Sequence, residues 1–176
     1  MKNKGLNIMV EKSKYDINVD RLYEQLQKVK DPEIDSVSIL ELGMVQNVQY
    51  AKNHVLIEIL PTFMGCPALD IIKNNIKQQL LTLDFINAVD VKFIYNPPWT
   101  SDRITEIGRE KLKEFGIAPP PIHFDETGEW RVNCPYCDSS YTTLDNIFGP
   151  TACRSILYCG SCKNPFEAMK PISTLM

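Results

Sequence analysis

The sequence predicts an α+β fold, a small mixed sheet with packed helices, followed by a four-cysteine ribbon. Three observations carry this. Helical and strand periodicities alternate from residue 18 to residue 115. Three consecutive prolines, Pro119, Pro120 and Pro121, then interrupt the chain, and such a tract is an extended, semi-rigid spacer. Beyond them stand two C-x-x-C pairs, Cys134-Pro-Tyr-Cys137 and Cys159-Gly-Ser-Cys162, with 21 residues between them. The expected layout is a flexible extension over 1–17, an α+β domain over 18–118, a proline-rich linker over 119–129 and a ribbon domain over 130–176. The two folded parts are expected to separate near residues 119–121.

Each element has its own signal. Val19, Leu22, Leu26 and Val29 are spaced for one face of a first helix, with Asn18 as its N-cap. Asp31-Pro32-Glu33 ends it, because the residue before proline is pushed out of the α region. Residues 44–50 and 55–60 read as strands joined by a tight turn at Lys52-Asn53, with Val55, Ile57 and Ile59 on one face. Leu69, Ile72, Ile76, Leu80 and Leu83 mark a second helix, and Val89, Val91, Phe93 and Tyr95 alternate into a third strand. Ile104, Ile107, Leu112 and Phe115 mark a third helix, capped by Ser101 or Asp102 and stopped by Gly116. Trp99 reads as a lid on the core. His54 falls in the hairpin turn and His123 after the prolines, both facing solvent.

The ribbon carries the strongest chemical signal. A two-residue gap lets the chain turn back so that both sulfurs of a pair meet one ion. Two such turns complete the tetrahedron that zinc accepts, and a site closed by four thiolates leaves no position for water or substrate. Cys134, Cys137, Cys159 and Cys162 are therefore the expected ligands of a structural zinc ribbon. Rubredoxin-like iron uses the same four sulfurs and stays open as an alternative. Disulfides are the weaker reading, because the chain shows neither a secretory leader nor an apolar run of about 20 residues, and reduced thiols of a cytoplasmic protein bind metal. Cys153 reads as a small packed residue.

Cys66 is the second focus. It lies in Pro61-Thr-Phe-Met-Gly-Cys66-Pro-Ala68, between a strand and a helix, with Pro67 placed as the first helical residue and Cys66 as the N-cap. The helix dipole and free N–H groups there favour thiolate. That effect amounts to only about 0.3–1 kcal/mol, so a reactive Cys66 needs a metal or a cation beside it. The plain alternative is a small residue filling a turn. Asp31 and Glu33 could form an acid–base couple, but caps and turn formers are the commoner use of such carboxylates.

Composition narrows the partners. The chain has 176 residues, 44% of them hydrophobic, with 19 basic against 22 acidic side chains. No cationic stripe is present to bind phosphates, so a nucleic-acid ligand is not expected, nor is a membrane. No catalytic constellation is visible, and the chain is not expected to be an enzyme.

These residues together resemble a known family. Asp31-Pro32-Glu33, Glu41-Leu-Gly-Met-Val45 and Gly65-Cys66-Pro67-Ala68 resemble the small domain of SufT-like iron–sulfur assembly factors. Trp99-Thr-Ser-Asp102, Gly108-Arg-Glu-Lys-Leu112, Phe115-Gly-Ile-Ala-Pro-Pro120, the two cysteine pairs and Phe148-Gly-Pro-Thr-Ala-Cys153 resemble the PaaD (PaaJ) family associated with phenylacetyl-CoA oxygenase. The resemblance implies a cytoplasmic accessory protein of phenylacetate catabolism that matures or loads a metal centre. It makes Cys66 the thiol that handles iron or a transient iron–sulfur cluster, with Asp31 and Glu33 as supporting carboxylates or turn formers. The implied partners are the oxygenase or its reductase subunit and iron–sulfur assembly proteins, with a homodimer left open. An integral subunit acting as scaffold or as rubredoxin-like electron carrier is the alternative. The chain departs from the family pattern at Pro150, where a serine is expected.

Overall fold

The computed structural model describes residues 14–121 and 131–172. Residues 1–13 of the expected extension, residues 122–129 of the expected linker, His123 and Trp130 lie outside the described residues.

Helix α1 spans Lys14–Leu26. No glycine or proline stands between Gly5 and Pro32 to interrupt it, and the chain is already helical at Lys14, so Asn18 is inside the helix and not its N-cap. It also stops before Val29, whose N–H donates to the Leu26 carbonyl at 3.1 Å in a tightened last turn. A short antiparallel hairpin follows, β1 (Lys30–Asp31) and β2 (Ile34–Ser38). Asp35 and Ser36 break the alternation that would have marked β2 as a strand in the sequence.

Strands β3 (Val45–Ala51) and β4 (His54–Ile59) form the expected hairpin. Lys52 and Asn53 turn it with φ of 49° and 63°, the two left-handed positions of a type I′ turn. Helix α2 (Leu69–Leu80) crosses over to β5 (Ala88–Phe93), which lies parallel to β4 with Val55 beside Val89 and Ile57 beside Val91. The sheet order β3-β4-β5 is therefore mixed. Its inner face, Val55, Ile57 and Ile59, packs with Ile72, Ile76 and Leu80 of α2 and with Leu22 and Leu26 of α1. His54 begins β4 rather than lying in the turn, and its Nε2 sits 2.9 Å from Asp90 Oδ2.

A single 3-10 turn, Ser101–Arg103, leads to α3 (Glu106–Glu114). Neither Ser101 nor Asp102 caps α3. Thr105 does, its Oγ1 accepting from the Gly108 N–H at 3.1 Å. The inward stripe is Ile104, Gly108 and Leu112, while Ile107 and Phe115 are exposed. Gly108 is the reason. A Cβ there would lie 2.6 Å from the Glu41 carbonyl oxygen, so the contact needs a residue that adds nothing to a hydropathy stripe. Gly116, at φ 88°, ends the helix as expected. Trp99 is buried and donates to the Leu42 carbonyl at 2.8 Å.

Glu41 joins these pieces. It is 5% exposed. Its Oε1 accepts from Gln27 Nε2 at 2.7 Å and from Lys111 Nζ, and its Oε2 accepts from the Ser38 N–H at 2.8 Å. Burial works against its charge, but these donors more than offset it and hold the carboxyl below its ordinary range. Beside it, Gly43 has φ 64°, and a Cβ there would meet the Arg103 carbonyl oxygen at 2.2 Å.

The ribbon forms a second sheet in the order β6-β9-β8-β7, from β6 (Ile117–Ala118), β7 (Thr142–Asn146), β8 (Arg154–Cys159) and β9 (Pro165–Met169). This sheet crosses the expected break. β6 precedes the prolines yet pairs in parallel with β9, Ile117 beside Glu167 and Ala118 beside Ala168. Met169 and Ile117 belong to the larger core, and Ile172 packs against it. Ser101 N–H donates to the Ile172 carbonyl at 2.9 Å, and the Ile172 N–H donates to Ser101 Oγ at 2.8 Å. Arg109 donates to the carbonyls of Pro120 and Ser101.

A chain ended at Ala118 loses Met169 from the core, a burial worth about 1.5–3 kcal/mol, together with both Ser101–Ile172 hydrogen bonds. Urea unfolding followed by the amide signals of β4 is expected to show that fragment losing its fold at lower denaturant than the full chain. Glu41→Gln is expected to cost about 2 kcal/mol at neutral pH, the usual contribution of hydrogen bonds to a charged group. A carboxyl held below its unfolded value stabilises fully above that value and loses the effect as pH falls through the folded one. The gap between wild type and variant should therefore shrink below the ordinary glutamate range, and a gap independent of pH would contradict the role given to the charge.

Candidate metal centre and the Cys66 loop

The two cysteine pairs fold as matching knuckles. In the first, the Asp138 N–H donates to the Cys134 carbonyl at 2.8 Å and the Cys134 N–H to the Ser139 carbonyl at 3.0 Å. In the second, the Lys163 N–H donates to the Cys159 carbonyl and the Cys159 N–H to the Asn164 carbonyl, both at 3.0 Å. Each knuckle closes on a left-handed residue four positions after its first cysteine, Asp138 at φ 58° and Lys163 at φ 61°. Ser139 Oγ and Ser161 Oγ, 2.7 Å apart, clip the knuckles together, and Lys113 Nζ holds Asp138 Oδ1 at 2.7 Å from α3.

The four sulfurs fit a tetrahedral ion. They all lie within 4.8 Å of one another, with Cys134 to Cys162 at 3.7 Å and Cys137 to Cys159 at 3.6 Å. Sulfurs bound at about 2.3 Å to one central ion are separated by about 3.8 Å at the corners of a tetrahedron. A disulfide would need about 2.05 Å. The thiols act on one another: the Cys162 N–H chiefly pulls the Cys159 thiol down, while those of Cys134 and Cys137 are pushed up. Cys134, Cys137, Cys159 and Cys162 thus form the expected metal site, and among the described residues it is the one metal-ligand group closed this tightly.

Cys66 lies in the expected strand-to-helix loop, but it does not cap the helix. The N-cap of α2 is Ala68, with φ −76° and ψ −9°, and Cys66 stands two residues outside it. The Leu69 N–H reaches the Cys66 carbonyl only at 3.4 Å. The thiol is accordingly pushed up, not down. Half-burial against the main core is the first cause, an N–H from Ala68 opposes it, and the charges of Glu33, Cys153 and Asp31 add to the rise. Gly65 leaves one side of the loop open, with nothing within 4 Å of where its Cβ would be.

Asp31 and Glu33, at the β1–β2 turn, bear on the Cys66 thiol through their charge. Asp31 is buried, and its Oδ1 accepts from the Glu33 N–H at 2.8 Å, the turn-forming contact expected of it. Burial pushes its carboxyl up, against the N–H groups of Glu33 and Ile34 and the nearby charge of Arg154.

Cys153, a packed residue by its local sequence, is set by the fold in the same neighbourhood. Its Sγ lies 3.2 Å from Thr151 Oγ1, and burial first, then the charges of Glu33 and Asp31, push its thiol up. Lys170 of the segment after β9 binds the two loops side by side. Its N–H donates to the Cys153 carbonyl at 2.8 Å and its Nζ to the Ala152 carbonyl at 2.9 Å. The same ammonium stands 5.8 Å from the Phe63 ring centroid and 5.9 Å from that of Phe148. Arg154, which bears on Asp31, is anchored by Glu167 at 2.6 Å and Thr151 at 2.8 Å. Local patterning carries no signal for this meeting, because Cys153 and Arg154 come from the ribbon and Cys66 from the first domain.

Both parts have counterparts among known proteins. Residues 20–93 match the family model of an iron–sulfur cluster assembly protein, and residues 118–170 match the PaaD zinc beta ribbon domain. The chain is 34% identical over 49% of its length to a Bacillus subtilis (strain 168) protein named Fe-S protein maturation auxiliary factor YitW, of which it covers 85%. A crystal structure from Bacillus anthracis, titled as a domain of unknown function DUF59, superposes with a TM-score of 0.52 at 31% identity, covering 55% of this chain and 92% of the other. The class is therefore an iron–sulfur-assembly-type domain joined to a metal ribbon. Over 88% of its length the chain is 38% identical to an Escherichia coli (strain K12) protein provisionally named as a subunit of 1,2-phenylacetyl-CoA epoxidase, of which it covers 93%. The chain belongs to the PaaD family.

Removing the metal should dismantle the ribbon. Among the described residues its own core holds Ala118, Val132, Leu157, Phe166 and Ala168 beside the cysteines, a small core of the kind a metal must complete. Strong chelation or Cys137→Ser is expected to erase the amide signals of β7 and β8 and to leave those of β4 and α2. Elemental analysis should give one ion per chain before chelation. Native β8 signals in metal-free protein would refute the role given to the ion.

Proposed function

We propose that this protein is a non-catalytic, cytoplasmic accessory factor that loads or matures a metal centre of a phenylacetyl-CoA oxygenase (epoxidase) system. In this reading Cys66 holds iron or an iron–sulfur cluster in transit as cargo. The four-cysteine site holds zinc for structure, and the ribbon docks the client. The carrying observation is Cys66 in an open strand-to-helix loop, with Asp31 and Glu33 close enough for their charge to act on it. The relatives' names support the same reading, since they are those of maturation auxiliary factors and of an epoxidase subunit. Among the described residues no helix is long and apolar enough to cross a membrane.

The chemistry follows from the ligand types. Thiolate with carboxylate suits ferrous iron, which binds both sulfur and oxygen donors. The raised Cys66 thiol stays protonated at neutral pH and releases its proton only to a metal, so binding is reversible by competition with protons. A cargo site needs that reversibility.

The test is Cys66→Ala in cells that depend on the oxygenase. The variant is expected to keep its fold and its one zinc per chain, yet to lower oxygenase activity at least tenfold. Full activity with Cys66→Ala would make the protein a scaffold and overturn the proposal.

A further inference from the structure

We propose that the open cavity beside the Cys66 loop is where this protein holds its client: an extended segment of the partner protein inserts one large apolar side chain there and sets a neighbouring carboxylate on Lys170. This rests on the reading of the protein as an accessory factor with a client. It gives that contact a place, at the seam which the ribbon helps to build, and a chemistry.

The cavity encloses about 350 Å³. Its walls include Phe63 and Met64 of the Cys66 loop, Ile94, Tyr95 and Trp99 from the segment after β5, and Ile172 from the end of the ribbon. Apart from the Tyr95 hydroxyl these side chains offer little but apolar surface. Trp99 already gives its indole N–H to the Leu42 carbonyl at 2.8 Å, so it brings the cavity no free donor. The cavity is open, since Met64 and Tyr95 on its wall are 74% and 52% exposed. It stands at the small end of the roughly 300–1,000 Å³ range of ligand sites, room for one large side chain rather than for a folded element. Apolar side chains left in water around such a pocket mark a contact surface, and a single anchor filling it is the usual source of affinity.

Charge selects the occupant. Lys170 lies two residues before Ile172, and its ammonium stands 5.8 Å from the Phe63 ring centroid and 5.9 Å from that of Phe148, a ring 78% exposed. Phe63 thus belongs both to the cavity wall and to the surroundings of the cation. The ammonium donates to the Ala152 carbonyl at 2.9 Å, and among the described residues no carboxylate pairs with it, whereas the ribbon's Arg154 is paired with Glu167 at 2.6 Å. An uncompensated cation next to an apolar cavity complements an apolar side chain with an acidic neighbour. The same place adjoins the thiol. The Cys66 N–H reaches the Phe63 carbonyl at 3.4 Å, so cavity wall and thiol share one turn, and a segment seated there brings the client's surface up to Cys66.

The test is selection of random hexapeptides on zinc-loaded full-length protein, followed by titration of the selected peptide. The expected consensus is a large apolar residue with Asp or Glu within about three positions of it, and the peptide should shift the Trp99 indole N–H and the Ile172 resonances. Lys170→Glu should turn the selected charge to Lys or Arg and weaken the original peptide at least tenfold. Met64→Glu, at an exposed position, should weaken it at least tenfold while zinc content and thermal unfolding stay as they were. Should Lys170→Glu lose its zinc, Lys170→Gln takes its place and should abolish the preference for acidic residues. A selection without consensus, a consensus that the Lys170 variants leave unchanged, or a peptide whose shifts fall elsewhere overturns the proposal. Self-association of the chain that shifts the same resonances makes the occupant a second copy and overturns it as well. If the peptide binds as expected while Cys66→Ala keeps full oxygenase activity, the docking cavity stands and the cargo role of Cys66 falls. If Cys66→Ala loses activity and no consensus emerges, the cargo role stands and the docking cavity falls.

Discussion

A two-residue parallel pairing, Ile117–Ala118 against Glu167–Ala168, decides how this molecule is put together. Its hydrogen bonds contribute little by themselves, about 1 kcal/mol each. What they set is position. With β9 in register beside β6, Met169 enters the larger core and Ile172 reaches Ser101. The ribbon then has one orientation on the first domain, and the loop carrying Cys153 falls beside the loop carrying Cys66. Loosening this strand would leave both domains with their internal pairings but would undo their docking.

The two halves are stabilised by different means. The first has a continuous apolar core from Leu22 to Met169, built by helices on one face of a mixed sheet. Among its described residues the second buries few large side chains, and the four cysteine sulfurs are placed where metal–sulfur bonds would stand in for a core. This division has a consequence at the shared strand. β9 supplies Met169 to the larger core against which Cys66 also packs, so the ribbon and the surroundings of Cys66 share one core.

Two buried carboxylates show how similar groups reach opposite states. Glu41 meets donors from Gln27, Ser38 and Lys111 on both oxygens, and its charge is favoured despite burial. Asp31 is also buried, with turn N–H groups and a share of the Arg154 charge, and burial prevails. The first arrangement ties α1, β2 and α3 together as structure. The second leaves an acidic group that burial disfavours as an anion and whose charge bears on the Cys66 and Cys153 thiols.

Much of this is legible along the chain. Period-two and period-3.6 patterns place β3, β4, β5 and α2, because their apolar faces repeat within a few residues. The spacing within and between the cysteine pairs is enough to define the ribbon ligands, since a knuckle is a local turn. Helix ends are less legible: α1 runs past Asn18 because nothing local stops it, and α3 is capped by Thr105 and faces inward through Gly108, a contact that only Glu41 makes visible. The proline tract reads as a boundary, yet β6–β9 pairing spans it. Cys66 as a thiol in a strand-to-helix loop is readable, but its protonation is not, for that depends first on burial against the core and then on the charges of Glu33, Cys153 and Asp31 brought in from elsewhere. Sequence alone determined α2, β3, β4, β5 and the metal knuckles, whose geometry is set by near neighbours. Only the tertiary structure decided which thiols and carboxylates share one environment, because burial and charge act through space and not along the chain.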